Sequence, residues 1–517
     1  MRNGRAVWLA AAMLTATGAL AEVKPNAMFA DGCVLQQGMA TPVYGTATKD
    51  GEKVTVKLGD QEVGTTAVGG KWLVKLKDLK AGGPFTLTVT GEANTVTLND
   101  VLVGEVWVGS GQSNMDINAA WFFKGDAVLE GLANGGPYPQ VRLAKRDGKG
   151  WTDSSPANCR NFSALCLSFG LRLQKELGVP VGLLVGAVGG TPSGFWLSQA
   201  AYDGDADCKA VAAKYAEHYD YDAAVKNYQT RLATWQKAAD AAKAAGRREP
   251  PNKPQQPAHA GECYGKIGNL YEAHIRPFEP YGIRGVLWDQ GESGTAVEGV
   301  DQFTLMGALI KGWRAEWGQG DFPWLYVQKP SGGGPAWDDA DPVTIRASKP
   351  GPLPAAPPPA GGEYRALHLR IRQHPNTFLV IATDLGNGIH PVNKSGYGAR
   401  ACRVALGAVY GKPIEYYGPV FESAKLEGDK VRLTFSHVGA GLAAKGDKLT
   451  GFAICGADLR WHWADAAIDG ATVVVSSAQV AKPLVVRYAW ADNIPWANLF
   501  NKDGLPAQTF ETKALAP

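Results

Sequence analysis

Beyond its first two dozen residues this 517-residue chain has no apolar run long enough to cross a bilayer, which argues against a membrane-spanning protein. Cysteine is sparse: Cys33, Cys159, Cys166, Cys208, Cys263, Cys402 and Cys455 are scattered, with no C-x-x-C pair. That excludes a zinc ribbon or a dithiol redox motif. The eight histidines form no H-E-x-x-H or comparable ligand cluster, so neither metal nor cofactor is expected. Charge of one sign is lacking too. Lys and Arg total 52 against 49 Asp and Glu, a net charge of +3, which gives no reason to expect nucleic acid or an acidic membrane as partner. The G-x-S-x-G elbow of the α/β-hydrolases is also missing.

What is present reads as a large globular protein: 45% hydrophobic and 20% charged residues, and length for two or three domains. The opening "MRNGRAVWLAAAMLTATGALAEV" has two arginines, an apolar stretch and Ala19-Leu20-Ala21. This is the pattern of a secretory signal peptide over residues 1–21. Export follows, to the periplasm or the medium, with a mature protein that is soluble and free of the membrane. An exported chain admits disulfides, and the odd count leaves at least one thiol over.

Residues 22–100 alternate Val, Leu and Thr with charge between Gly-rich turns, as expected of an antiparallel β module with one wet face. After Val101 the pattern changes. "LVGEVWVGS", "PVGLLVGAVGG", "IRGVLWDQGES" and "TFLVIATDLG" are continuous apolar runs ending in polar, Gly-containing loops, with amphipathic helical stretches between them. Residues 101–410 therefore read as an α/β domain, a parallel sheet with helices on both faces. It carries a helical insertion at about 201–260 and a Pro/Gly-rich excursion at about 329–363, placed near the loop face as a mobile lid. Alternation returns in a C-terminal β region, 411–517, expected to pack with the N-terminal module.

Ligands bind such sheets where strands run into loops at their carboxyl ends. Four polar clusters fall there: Gly111-Gln-Ser-Asn114, Gly189-Gly-Thr191, Asp289-Gln-Gly-Glu292, and Asp384 to His390. Together they hold a Gly-flanked serine, uncrowded backbone donors, an amide and a histidine, the inventory of acyl transfer. Ser110, the second serine of its loop, reads as a turn hydroxyl bonded to backbone. Among the other histidines, His274, His368, His374, His437 and His462 sit in helical or β patterns and read as packing or solvent-facing.

"GSGQSNM", "VGLLVGAVGGTP", "RGVLWDQGES" and "HPVNK" resemble the conserved blocks of SGNH-type carbohydrate acetylesterases, specifically the sialate O-acetylesterase-like group. "MFADGCVLQQGMATPVYGTA", "NDVLVGEVWVGSGQSNM" and the C-terminal "VVRYAWADNIPWANLFNKDGLPAQTF" extend the resemblance over most of the mature chain. It implies an SGNH-hydrolase, flavodoxin-like sheet and an esterase that removes acetyl groups from sugars, sialic acid or plant cell-wall polysaccharide. Ser113 matches the family's nucleophile and His390 its base. Ser113 and Gly190 would give backbone N–H groups, and Gln290 its side-chain amide, to the oxyanion.

The histidine loop departs from the family, which carries an aspartate two or three residues ahead of its histidine, where Asn387 and Gly388 stand here. Three readings remain open: Asp384 reaches the ring, Asn387 orients it as a neutral acceptor, or a Ser–His dyad works alone. Asp384, as the nearest carboxylate of the loop, is the favoured one. Asp289 replaces the family's usual aromatic residue before Gln-Gly-Glu, and Glu292 matches the family; both are placed beside the site. The alternatives on the same scaffold are a non-catalytic carbohydrate-binding protein, with 16 tryptophans available to stack on sugars, and a thioesterase or lipase-like hydrolase.

Overall fold

The alternating and the continuous apolar patterns meet inside one strand, β1 (Thr95–Gly111), in the computed structural model of the chain. The structure describes residues 22–145, 150–250, 253–345 and 349–515; the signal-peptide reading of residues 1–21 lies outside them. The first half of β1 pairs antiparallel with Gly82–Thr90 and is partly wet. From Val101 onward every residue of it is buried, as a strand needs to be when parallel neighbours and helices enclose both its faces.

The neighbours are β2 (Val141–Lys145), β3 (Val181–Ala187), β4 (Gly285–Asp289), β5 (Trp324–Val327) and β6 (Thr377–Val380). Their order across the sheet is β2–β3–β1–β4–β5–β6, with every adjacent pair parallel. Trp151–Thr152 adds an antiparallel edge beside β2, and N-terminal strands join through the first half of β1, so the whole is a mixed sheet.

Register shows how helices cover both faces. Gly285 lies opposite Trp107 and Trp288 opposite Ser110, so the two indoles project to opposite sides. Trp107 meets Phe169 of α1 (Ala164–Leu177) at 5.2 Å. Trp288 meets Trp313 of α2 (Gln302–Trp317) at 6.1 Å. Both helices have strong punctuation. Ser163 and Asp301 cap their N-termini, and Gly178 and Gly318 end them in left-handed conformation. A third helix, α3 (Lys394–Val404), lies against α1 so closely that a Cβ on Gly398 would stand 2.5 Å from Ser168.

The N-terminal strands share one hydrophobic core with this sheet. The C-terminal strands enclose a core of their own. Among the described residues they share no core with the N-terminal module, although the sequence pattern implied they would; they fasten to helices of the central domain. Arg365 donates to Asp492 O (2.7 Å) and Arg400 to Gly504 O (3.4 Å).

One further expectation is corrected. The Pro/Gly-rich segment is tied down rather than free. At one end Gly332 N–H donates to Ala382 O (3.0 Å) and Gly333 N–H to Gly386 O (2.9 Å). At the other, Gly351 N–H donates to Pro495 O (2.8 Å), Trp463 Nε1–H to Pro354 O (2.8 Å), and Arg487 to Pro359 O (3.3 Å). A segment poor in N–H donors keeps its carbonyls open, and side-chain donors of the C-terminal sheets take them. All seven cysteines are unpaired thiols, six of them buried.

Gly111, the last residue of β1, has φ +124°, and a Cβ there would stand 2.2 Å from Asp289 O. Gly111→Ala should therefore force β1 and β4 apart and lower stability by more than about 2 kcal/mol, with loss of function. Thermal melting of the variant checks this; an unchanged Tm would contradict the close approach.

Candidate active site

The chain leaves β1 on both sides: toward β3 and β2 in one direction, toward β4, β5 and β6 in the other. Such a reversal opens a crevice at the carboxyl ends of the central strands. Ser113 lies there. Gln112 N–H donates to Asp289 O (2.8 Å), which holds the turn after β1 against the end of β4, and Ser113 opens the short helix Ser113–Asp116. Gly189, after β3, packs on the serine: a Cβ there would lie 3.4 Å from that of Ser113. Ser110, inside β1 rather than in a turn as expected, is buried and donates to Gly186 O (2.6 Å), a bond across the sheet.

His390 arrives from the loop after β6, and its Nε2 stands 2.9 Å from Ser113 Oγ. The ring is part-buried. Burial lowers its pKa first and the Lys394 ammonium lowers it further, while Glu292 and Asp289 pull the other way. The imidazole is thus biased toward its neutral, proton-accepting form.

Asp384 does not serve this ring. Both its carboxylate oxygens are held by Arg400 of α3, at 3.1 and 2.6 Å, and the pair is buried. A carboxylate sunk beneath the loop takes the guanidinium that faces it. Among the described residues no ion pair includes His390. Asn387 is exposed, three residues ahead of His390 in the same loop.

Gln290 is also committed elsewhere. Its amide nitrogen donates to Gly294 O (2.9 Å) and Thr191 O (3.3 Å), and its oxygen accepts from Gln302 (3.0 Å). No N–H is left for an oxyanion. The residue instead braces the loop that carries Gly190. Among the described residues, the N–H groups of Ser113 and Gly190 have no protein acceptor, whereas Gly189 N–H donates to Asp116 (3.3 Å). Gly190 takes φ +71°, the left-handed conformation that glycine adopts without strain.

Beneath the serine lies a buried polar cluster that the sequence reading only touched. Lys329, fully buried, meets Asp289 at 2.6 Å and Glu292 at 2.7 Å. Burial opposes its charge, but the two carboxylates outweigh it and raise its pKa. Glu292 also accepts from Gln112 (2.7 Å) and Asn114 (3.0 Å), the residues flanking Ser113. Asn114 is the hub. Its nitrogen also donates to Ile389 O (3.0 Å), next to the histidine, and its oxygen accepts from Lys394 (2.8 Å). The donors fix which way the amide points. Lys394 is buried between the rings of Phe122 (4.9 Å) and Tyr397 (4.5 Å), and burial pulls its pKa down to about 7. His368, buried beside Lys329 and accepting its backbone N–H, is held neutral with a pKa near 3, by burial and then by Lys329.

No family model matches the chain. Its curated relatives include sialate O-acetylesterases of Rattus norvegicus, 28% identical over 86% of this chain and 85% of theirs, and of Homo sapiens, 26% identical over 88% and 85%. A crystal structure of a carbohydrate acetylesterase from Xanthomonas citri superposes with a TM-score of 0.74 at 28% identity, covering 95% of this chain and 99% of that one. The chain is a sialate O-acetylesterase-like ester hydrolase.

Of the residues singled out in the sequence, the fold brings Ser113, His390 and Gly190 together, with Glu292 and Asp289 under them; Asp384 and Gln290 face other partners. Lys329 and Lys394 were missed. Lys329 opens a stretch read as a loose loop, and Lys394 is the last residue of "HPVNK", a block whose lysine had no assigned task.

Asp384→Asn should cost about 3–5 kcal/mol by leaving the Arg400 charge buried and unpaired. Melting should show the loss, while turnover per folded molecule stays within a few-fold; a collapse of turnover at unchanged Tm would return Asp384 to the catalytic group. Lys394→Met should act on His390 instead. Removing a cation raises the imidazole pKa, so the acid limb of the kcat/KM profile moves to higher pH. A limb left in place would show that Lys394 does not govern the ring.

Proposed function

We propose that the chain is an exported O-acetylesterase acting on acetylated carbohydrates, with an SGNH-type site that works by a Ser–His acyl-enzyme route. The observation that carries this reading is the 2.9 Å contact between Ser113 Oγ and His390 Nε2, at a crevice with two open backbone donors. A protein that only bound sugar would have no use for a serine hydroxyl aimed at a neutral imidazole. The relatives, themselves sialate O-acetylesterases and a carbohydrate acetylesterase, support the acetyl group and the sugar. In this reading residues 1–21 direct export, and 22–100, 101–410 and 411–517 form the three parts of the chain. Among the described residues no helix is long and apolar enough to cross a membrane.

Ser113 Oγ attacks the acetyl carbonyl as His390 Nε2 takes its proton. The carbonyl oxygen, now negative, receives the N–H groups of Ser113 and Gly190. Each such donor contributes roughly 2.7–4 kcal/mol to the transition state. Collapse expels the sugar oxygen, which collects the proton from His390 and leaves the acetyl group on Ser113. Water then adds to that ester with His390 again as base, and acetate departs. With no carboxylate held on His390 among the described residues, the imidazolium formed at each step draws on Glu292 and Asp289 at longer range.

The test is acetate release from p-nitrophenyl acetate and from a panel of acetylated glycans, in the presence and absence of chelator. Wild type should be active and indifferent to chelation, with Ser113→Ala and His390→Ala reducing turnover by orders of magnitude. Undiminished release by Ser113→Ala would sink the mechanism.

A further inference from the structure

Large apolar side chains left in water beside a reactive group call for an explanation. Among the described tryptophans, Trp121 alone is strongly exposed, at 58%. The others lie in cores or are half-covered. Its ring centroid is 5.9 Å from that of His390, with the two planes nearly perpendicular. Ile389, the residue before the histidine, is 65% exposed. Two of the chain's most exposed apolar side chains thus flank the base that handles the leaving group.

Trp121 is held in place rather than loose. It belongs to the short helix Ala119–Phe122, whose capping residue Asn118 accepts the Trp121 N–H. Its neighbour Phe122 is buried, lies edge-on to it at 4.7 Å, and packs under the Lys394 ammonium. The indole is therefore presented from an anchored turn that leads back to the same Lys394–Asn114 hub that positions Ser113 and His390. An exposed aromatic fixed in this way loses little entropy when something covers it.

We infer that Trp121, with Ile389 beside it, is the platform on which the sugar ring of the leaving group rests. This rests on the esterase reading above and adds the part of the substrate that the rim recognises. When the ester carbonyl lies on Ser113, the leaving oxygen must come within hydrogen-bond reach of His390 Nε2. The carbon skeleton attached to that oxygen then falls within about one ring width of the indole. A pyranose has an apolar C–H face that suits a Trp surface, while its hydroxyls stay in water. An open-chain alcohol offers no such face. The platform therefore selects ring alcohols over flexible ones, and it acts on the alcohol side of the ester, not the acyl side.

The experiment compares kcat/KM on β-D-glucose pentaacetate with kcat/KM on glycerol triacetate, which has acetyl esters but no ring. The ratio of the two should fall about tenfold in Trp121→Ala, mostly through KM on the sugar ester, and recover in Trp121→Tyr. Melting curves of both variants verify folding. A ratio unchanged in Trp121→Ala, or a tyrosine variant as impaired as the alanine one, would overturn the platform while leaving the esterase intact. Wild type that cleaves the triacetate but not the pentaacetate overturns it as well. Wild type that cleaves neither ester sinks the esterase reading, and the platform with it.

Discussion

Everything at the site depends on a strand that has no wet face. From Val101 to Gly111 β1 is buried throughout, and from Glu105 onward it runs between parallel neighbours with helices covering both flanks. Once β3 and β4 stand on either side of it, the ends of three strands have to converge, and whatever follows β1 lies at their meeting point. The same strand begins in the N-terminal module, where its pairing is antiparallel. The module is thereby welded to the sheet, and the position of Ser113 is set by hydrogen bonds that start more than ten residues upstream.

A second constraint acts below the serine. Two carboxylates, Asp289 and Glu292, are brought close by the turn after β4, and Lys329 from the end of β5 is placed between them. Buried charge is tolerated only in such company. Glu292, with its charge balanced, can then hold Gln112 and Asn114, and through Asn114 the main chain beside His390. The Ser–His distance is thus governed by a lattice of ions and amides, not by a carboxylate on the ring.

Part of this was legible in the residues. Parallel strands read as unbroken apolar runs with polar clusters at their ends, and the resemblance to the acetylesterases picked Ser113, Gly190 and His390 out of those clusters. What was not legible depended on which of several neighbours a polar group meets. Asp384 is the loop's nearest carboxylate in sequence, yet Arg400, sixteen residues on along α3, reaches it first. Gln290 was a donor only by the resemblance, and nothing in a sequence tells a committed amide from a free one. The Pro/Gly segment looked loose because its composition forbids helix and sheet, which says nothing about partners elsewhere that accept its carbonyls. Helix-bound Lys394 and strand-end Lys329 drew no reading at all, since lysine is almost never fully buried unless paired.

The unpaired cysteines bear on how this molecule would be lost. Burial pushes the thiols of Cys33, Cys159 and Cys402 up to about 12, so in the native state they are inert toward oxidants. Unfolding returns every one of them to ordinary acidity at once, and in any oxidising medium seven free thiols can join in pairings that the fold never contains. Refolding would then be blocked by covalent bonds rather than by aggregation alone. The lifetime of the protein under such conditions is set by how rarely it opens, a rate, and not by the depth of its equilibrium.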